Sequence, residues 1–262
     1  RYVFHSGVDV VAGNTYYYRV QASSAGGTSG LSDEVAGTPQ ESATNNSLND
    51  VAWNGVDTLV AVGDSGVILT SPNATTDPWV DVSLVAVPQQ LMGVTWDSVN
   101  SQFLIVGAGS TVVTGDGTNW NVEDLSNLPG ADNLQDAAWL GDRYIAVGNN
   151  ATILTSNVDG SAWEAQDPGP NLGTTSFNAV AANDTTIVVV GTNGTILTSA
   201  DTVTWDLQPL TENNDLNDIT WDGSQFIVVG SDDTAYTSSD GARWDKFDTQ
   251  GFKENLVGVT QW

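Results

Sequence analysis

The side chains in this 262-residue sequence that could do chemistry are almost all carboxylates. Aspartate and glutamate total 32, against six lysine and arginine residues, one histidine and no cysteine. Without cysteine the chain has no thiolate nucleophile, disulfide or thiolate metal ligand. With His5 as the only histidine, it can assemble neither a histidine-based triad nor a histidine zinc site. Paired carboxylates of the glycosidase kind are the one catalytic arrangement left open, but no spacing marks out two particular acids.

The charge of the chain limits its partners. The formal net charge is −26, which excludes nucleic acid and anionic membranes as partners because both require lysine and arginine. The acids are scattered through the predicted loops, which is typical of a protein adapted to high salt or of loops that collect calcium. We therefore expect no cofactor, with calcium as the one open alternative.

The sequence contains a repeat of 39 to 43 residues. An apolar residue opens each repeat, at Leu48, Leu91, Leu134, Phe177, Leu216 and Leu256. A glycine ends the next apolar run, at Gly63, Gly107, Gly148, Gly191 and Gly230. Early tryptophans stand at Trp53, Trp96, Trp139 and Trp221, with Ala182 replacing the one in the fourth repeat. Late tryptophans stand at Trp79, Trp120, Trp163, Trp205 and Trp244.

Each repeat contains short runs rich in Val, Ile and Thr, separated by Gly, Asp and Ser turns, which predicts four β-strands. A period near forty with four strands is typical of a β-propeller blade. The sequence therefore predicts an all-β propeller over residues 48–262, with five blades starting near 48, 91, 134, 177 and 216 and an extra strand at 256–262. We expect a positive φ at the glycine ending each second strand. The extra strand either closes a five-bladed ring or begins a further blade, and we favour further blades.

The turns before the late tryptophans carry a family resemblance. Ser238–Trp244 and Thr114–Trp120 resemble the Asp-box, the Ser/Thr-x-Asp-x-Gly-x-x-Trp turn of sialidase-type propellers, and the preceding strands are similar to those of photosystem II assembly factors. The resemblance implies a structural turn in which the aspartate accepts backbone N–H groups and the tryptophan fills the gap between strands. The residues concerned are Asp116, Trp120, Asp159, Trp163, Asp201, Trp205, Asp240 and Trp244. Sialidases use three arginines, whereas the predicted blades contain only Arg143 and Arg243, so sialidase activity is nearly excluded for this stretch of sequence.

Residues 1–39 do not follow the repeat. The alternating stretch Gly13–Val20 and the strand that ends before Pro39 resemble the C-terminal part of a fibronectin type III domain. Residues 40–47 are polar and predict a linker. Since the first part of such a sandwich is missing, we expect the chain to be a fragment of a longer protein. Alternatively, these strands pair with the propeller edge or with another chain.

The predicted ligand face of the propeller is the one formed by the starts of the inner strands and the turns after the second strands. It carries amides and carboxylates that could hold a cation or sugar hydroxyls, or could simply cap strand ends. These are Asp50, Asp64, Asp136, Asn149, Asn193, Asp218 and Asp232.

The sequence predicts a non-enzymatic extracellular protein, secreted or at the cell surface, with an interaction or scaffold role in adhesion, a surface appendage or a filament. Its expected partner is another protein or a second copy of itself. One alternative is a carbohydrate-binding or polysaccharide-degrading propeller, and another is an assembly factor that docks a protein complex.

Overall fold

The repeats fold into five four-stranded antiparallel sheets, blades 1 to 5, in which inner, second, third and outer strands follow in chain order. The computed structural model describes residues 16–18, 23–24, 27–28, 35–37, 44–72, 79–125, 128, 132–169, 172–247 and 255–260. Blade 1 comprises Leu48–Trp53, Leu59–Gly63, Ile68–Ser71 and Val80–Asp81. Blade 2 comprises Leu91–Asp97, Gln102–Gly107, Thr111–Gly115 and Trp120–Val122. Blade 3 comprises Leu134–Trp139, Tyr144–Gly148, Thr152–Ser156 and Trp163–Gln166. Blade 4 comprises Phe177–Ala182, Ile187–Gly191, Ile196–Ser199 and Asp206–Gln208. Blade 5 comprises Leu216–Trp221, Phe226–Gly230, Ala235–Ser238 and Asp245–Lys246.

The blades follow one another as in a β-propeller, which confirms the predicted fold class. Every inner strand begins at the predicted apolar residue, and every second strand ends at the predicted glycine. The inner strands of consecutive blades lie side by side. One hydrophobic core fills each of the four junctions between consecutive blades.

The second strands are buried on both faces, which explains why they read as continuous apolar runs. In blade 2, Phe103 and Ile105 pack towards blade 1, whereas Leu104 and Val106 pack towards blade 3. All four side chains are fully buried. Side chains of a strand alternate between its two faces, so a strand held between two neighbours must be apolar at every position.

The glycines that end the second strands are needed for a different reason from the one predicted. Gly63, Gly107 and Gly191 have extended φ angles of −169°, −173° and −167°, so the expected positive φ is wrong. A side chain there would collide instead with the carbonyl group just before the inner strand, Gln90 O in the case of Gly107. The left-handed residue comes two positions later, as in Ser65 with a φ of 59°.

The chain divides into two units, residues 1–45 and 46–262. In the first, the structure describes two short antiparallel ladders, Tyr16–Tyr18 with Val35–Gly37 and Ser23–Ser24 with Gly27–Thr28. The remainder of the predicted fibronectin type III part lies outside the described residues. That resemblance therefore stays a prediction.

Candidate functional site

Three predicted ligand-face aspartates meet where the inner strands line the central channel. Asp50, Asp136 and Asp218 are the third residues of the inner strands of blades 1, 3 and 5. Each carboxylate accepts two backbone N–H bonds, one from the next residue of its own strand and one from the segment beside it, which is the next inner strand for Asp50 and Asp136 and residues 255–260 for Asp218. The first set of donors is Val51, Ala137 and Ile219, at 2.7, 2.7 and 2.8 Å. The second set is Val94, Val180 and Val259, at 2.7, 2.9 and 2.7 Å.

Burial makes it costly to ionise these carboxyl groups. Burial, together with a smaller effect of the charges of Asp50 and Asp218, raises the pKa of Asp136 from 3.8 to about 8. Burial likewise raises the pKa of Asp50 to about 6, with a smaller effect of Asp218, and it raises the pKa of Asp218. As a whole residue, Asp136 is half-buried. The carboxylates already accept hydrogen bonds from the backbone. Each of them therefore links its own inner strand to the segment that follows.

The other predicted ligand-face residues lie in the turns after the second strands, where they make contacts within the propeller. Asp64 accepts hydrogen bonds from Asn49 at 3.2 Å and from Gln90 at 2.8 Å. Asn149 accepts one from Gln135 at 2.9 Å. The backbone N–H groups of Asn193 and Asp232 donate to Asp215 and Asn255, at 2.8 and 3.3 Å. These contacts hold the turns against the loops that enter the inner strands.

A cavity lies at the opposite end of the inner strands from the aspartates. It has a volume of about 550 Å³, and its lining includes Trp139, Ala182 and Trp221, the last residues of three consecutive inner strands. The turns that follow these strands complete the wall, with Asn183, Asp184 and Thr185 from blade 4 among them. In blades 3 and 5 the tryptophan is the third residue after the aspartate, which places the two ends about 10 Å apart.

The cavity exists because blade 4 lacks a pair of aromatic rings. In blades 3 and 5 the early tryptophan packs on the first residue of the second strand, with ring centroids 4.7 Å apart for both Trp139–Tyr144 and Trp221–Phe226. Blade 4 places Ala182 opposite Ile187 at the same register. The replacement of an indole by a methyl group leaves a space between the two flanking tryptophans, which sequence reasoning noted as a substitution but did not identify as a site.

A smaller cavity of about 210 Å³ adjoins the first and shares its blade 4 wall. Arg143 lies on its side towards blade 3, where it forms a salt bridge of 2.9 Å with Asp142. Asp142 and Asp184 are exposed, so this end of the propeller carries carboxylates beside its tryptophans.

The aspartates of the predicted structural turns form hydrogen bonds within their own turns. Asp240 accepts N–H bonds from Ala242 and Arg243 at 2.9 and 3.0 Å, and Trp244 Nε1 donates to Gly241 O at 2.9 Å. Asp116 accepts N–H bonds from the two residues before Trp120, both at 2.7 Å. The same type of bond is made by Asp159 and Asp201, and Trp163 and Trp205 donate to their own turns. The hydrogen bonds lower the pKa of all four aspartates.

Within the described residues, no group of three or more His, Cys, Asp or Glu side chains is arranged to hold a metal ion. Calcium binding stays an open alternative to the expectation of no cofactor. In the same part of the chain, no helix is long and apolar enough to cross a membrane.

No protein-family model and no curated protein matches the sequence, but solved structures do. A structure titled "YCF48 bound to D1 peptide" is similar with a TM-score of 0.62 and 15% identity, over 81% of this chain and 69% of that one. A structure titled "Crystal structure of Nidogen/Laminin Complex" is similar with a TM-score of 0.61 and 12% identity, over 94% of this chain and 97% of that one. At such low identity the likeness concerns the fold, and it agrees with the five four-stranded blades: the chain has a β-propeller fold.

Proposed function

We propose that this chain is a non-enzymatic protein-interaction propeller and that it contacts its partner through the cavity between Trp139 and Trp221. The observation that carries the proposal is the cavity of about 550 Å³ left where Ala182 replaces a tryptophan. The repeat fills this position with an indole ring in the neighbouring blades, so a side chain of a partner can occupy the same space. Tryptophan is among the residues most enriched at the energetic centres of protein interfaces.

The partner segment best suited to this cavity carries arginine or lysine. A cation placed over an indole face is attracted by the electron density of the ring. Asp184 is exposed at the rim, and the chain as a whole carries a formal charge of −26. Opposite charge on the partner speeds association and selects against acidic competitors.

The two similar structures support a protein partner, since one is bound to a D1 peptide and the other is a nidogen/laminin complex. The extracellular location and a role in adhesion, a surface appendage or a filament rest on the fibronectin type III resemblance of residues 1–39. The Asp-box identity of the turns rests on their sequence. Docking onto a protein complex, as an assembly factor does, uses the same kind of contact and is included in this proposal.

Carbohydrate binding is the second candidate, because tryptophans flank the polar blade 4 loop. Sugar rings stack on indole faces, and Asn183, Asp184 and Thr185 supply groups that bind hydroxyls. The buried aspartates, by contrast, lie at the other end of the inner strands and accept backbone hydrogen bonds. The cavity therefore favours binding of a sugar over cleavage of one.

The proposal is tested by selecting ligands from a random peptide library displayed on phage. Peptides are selected on the unmodified chain and then measured on an Ala182→Trp variant, which supplies the missing indole. We expect the selected peptides to be rich in arginine and lysine and to lose about tenfold or more in affinity for the variant. Val158→Trp, in an exposed turn of blade 3, is the matched control and should bind normally.

Selected peptides that bind Ala182→Trp as tightly as the unmodified chain would contradict the proposed site. Peptides without basic residues that still depend on Ala182 would contradict the proposed chemistry. If the library yields no binder while a panel of oligosaccharides binds in an Ala182-dependent way, the carbohydrate candidate replaces the protein one.

A further inference from the structure

Blade 1 leaves uncovered a face that the other blades bury. Leu48, Val51 and Trp53 lie on the face that, in blades 2 to 5, packs against the preceding blade. Their exposed fractions are 49%, 55% and 58%. The equivalent residues of blade 2, Leu91 and Val94, are 0% and 6% exposed. This apolar face is therefore one half of an interface between blades.

Residues 255–260 lie on the open side of blade 5 in the position of a further inner strand. Asn217 donates a side-chain hydrogen bond to Leu256 O at 2.8 Å, as Asn178 does to Leu216 O at 2.7 Å. Val259 N–H donates to Asp218 at 2.7 Å, the same contact that joins blades 1 and 2 and blades 3 and 4. Among the described residues, 255–260 belong to none of the sheets, and Val257 is 80% exposed.

The residues at the third inner-strand position alternate between aspartate and a small residue, which limits how the ring can close. In order they are Asp50, Gly93, Asp136, Ala179, Asp218 and Gly258. A small residue suits the position before each aspartate because the strands approach closely there; a Cβ on Gly93 would lie 3.2 Å from Asp136 Cα in the following inner strand. After Gly258 the alternation calls for an aspartate, and Asp50 of blade 1 is one. The pattern is therefore kept when an odd number of blades stands between blades 5 and 1, and one blade is the smallest number that keeps it.

We propose that a sixth blade of this repeat, with residues 255–260 as its inner strand, fills the wedge between blades 5 and 1 and covers Leu48, Val51 and Trp53. The occupant is a sheet continuous with residues 255–260, not a second ring and not an unrelated chain. Its second strand carries two apolar residues facing blade 1, as Val60 and Val62 face blade 2. In the closed ring Gly258 lies beside Asp50 as Gly93 lies beside Asp136.

The experiment supplies the outer strands of such a blade. A second copy of residues 223–247, which carry the turn and the second to outer strands of blade 5, is added after the last residue of the full chain. We expect a higher unfolding temperature and amide hydrogen exchange at residues 256–260 that is about tenfold slower or more. Both gains should disappear with Val51→Asp, because a charge would then be buried at the new interface.

Val99→Asp is the matched control, since Val99 is 65% exposed in a turn of blade 2 and should leave both gains intact. Val51→Thr keeps the shape of the side chain and serves as the second variant if Val51→Asp does not fold. The proposal is overturned if the added strands do not slow amide exchange at residues 256–260. It is equally overturned if that slowing persists in both variants at position 51. It is also overturned if the unmodified chain forms a dimer in sedimentation that Val51→Asp dissolves, because a second copy then occupies the face.

Discussion

Replacement of Asp136 by asparagine should remove part of the pH dependence of stability, because Asp136 is the most strongly shifted of the channel carboxyls. Its pKa is about 8 in the folded chain, against an ordinary value of 3.8. A raised pKa means that the folded state holds a proton that the unfolded state releases. The free energy of unfolding is therefore highest at low pH with respect to this group, and it falls as pH rises from about 4 to about 8.

The size of this loss in unfolding free energy follows from the pH range in which Asp136 titrates and Asp50 does not. The pKa of Asp50 is about 6, so the loss between pH 6 and pH 8 is due mainly to Asp136, together with any contribution of Asp218. One pKa unit corresponds to about 1.4 kcal/mol, which makes the loss over this range at most about 3 kcal/mol. Since Asp136 is half-buried, solvent should screen the carboxylate, and about half that value is the expected effect.

The Asp136→Asn variant cannot ionise, but it also cannot accept both backbone N–H bonds. An amide has one oxygen, so either Val180 N–H or Ala137 N–H loses its acceptor, at a cost of about 1 to 2 kcal/mol. We therefore expect the variant to be less stable than the unmodified chain at pH 5. Between pH 6 and pH 8 the variant should lose less stability than the unmodified chain. The plots of unfolding free energy against pH for the two proteins should therefore converge or cross.

The assay is urea denaturation followed by tryptophan fluorescence at half-unit steps from pH 5 to pH 8.5. Salt of about 0.5 M shortens the screening length to about 4 Å and suppresses repulsion between surface charges. Asp116→Asn is the matched control: it removes one charge and keeps the oxygen that accepts both turn N–H bonds. The pKa of Asp116 is lowered, so its contribution is present above about pH 4 and is lost only below that value. The reasoning is refuted if Asp136→Asn and Asp116→Asn show the same slope between pH 6 and pH 8.

Three further substitutions test the fold. Gly107→Ala should lower stability by about 3 kcal/mol, since the new Cβ meets the backbone of Gln90; an unchanged unfolding temperature would contradict the close approach. Asp240→Ala should cost about 1 kcal/mol in urea denaturation through loss of two turn hydrogen bonds, whereas Asp240→Asn should cost less because it keeps an acceptor. Asn178→Ala removes the bond to Leu216 O between blades 4 and 5 and should speed amide exchange at that junction; exchange that accelerates equally in blade 2 would show a global effect instead.

Most of the fold could be predicted from the sequence because the same types of residue mark the same strand ends in every repeat. The opening residues, such as Leu91 and Phe177, mark the first residues of inner strands, and the glycines mark the last residues of second strands. The role of those glycines could not be predicted. A tight turn and a close approach both require glycine, and only the position of Gln90 O beside Gly107 distinguishes them.

The candidate site was predicted less well, because it depends on three repeats at once. Asp50, Asp136 and Asp218 lie at the starts of inner strands, but their contacts with the segment that follows require a strand register that the sequence does not specify. Ala182 was recognised as a departure from the repeat. Its consequence, a space between Trp139 and Trp221, depends on the neighbouring blades leaving that volume unfilled.

The central claim, that a basic side chain of a partner enters this cavity, is tested most directly by the indole N–H signals of Trp139 and Trp221 in nuclear magnetic resonance. A short blocked peptide containing arginine is added to the unmodified chain and to Ala182→Trp. The account predicts that these two signals shift with a common saturation curve in the unmodified chain, while Trp96 stays unchanged, and that no shift occurs in the variant. Shifts that are equal in the two proteins, or a response confined to other tryptophans, would contradict it.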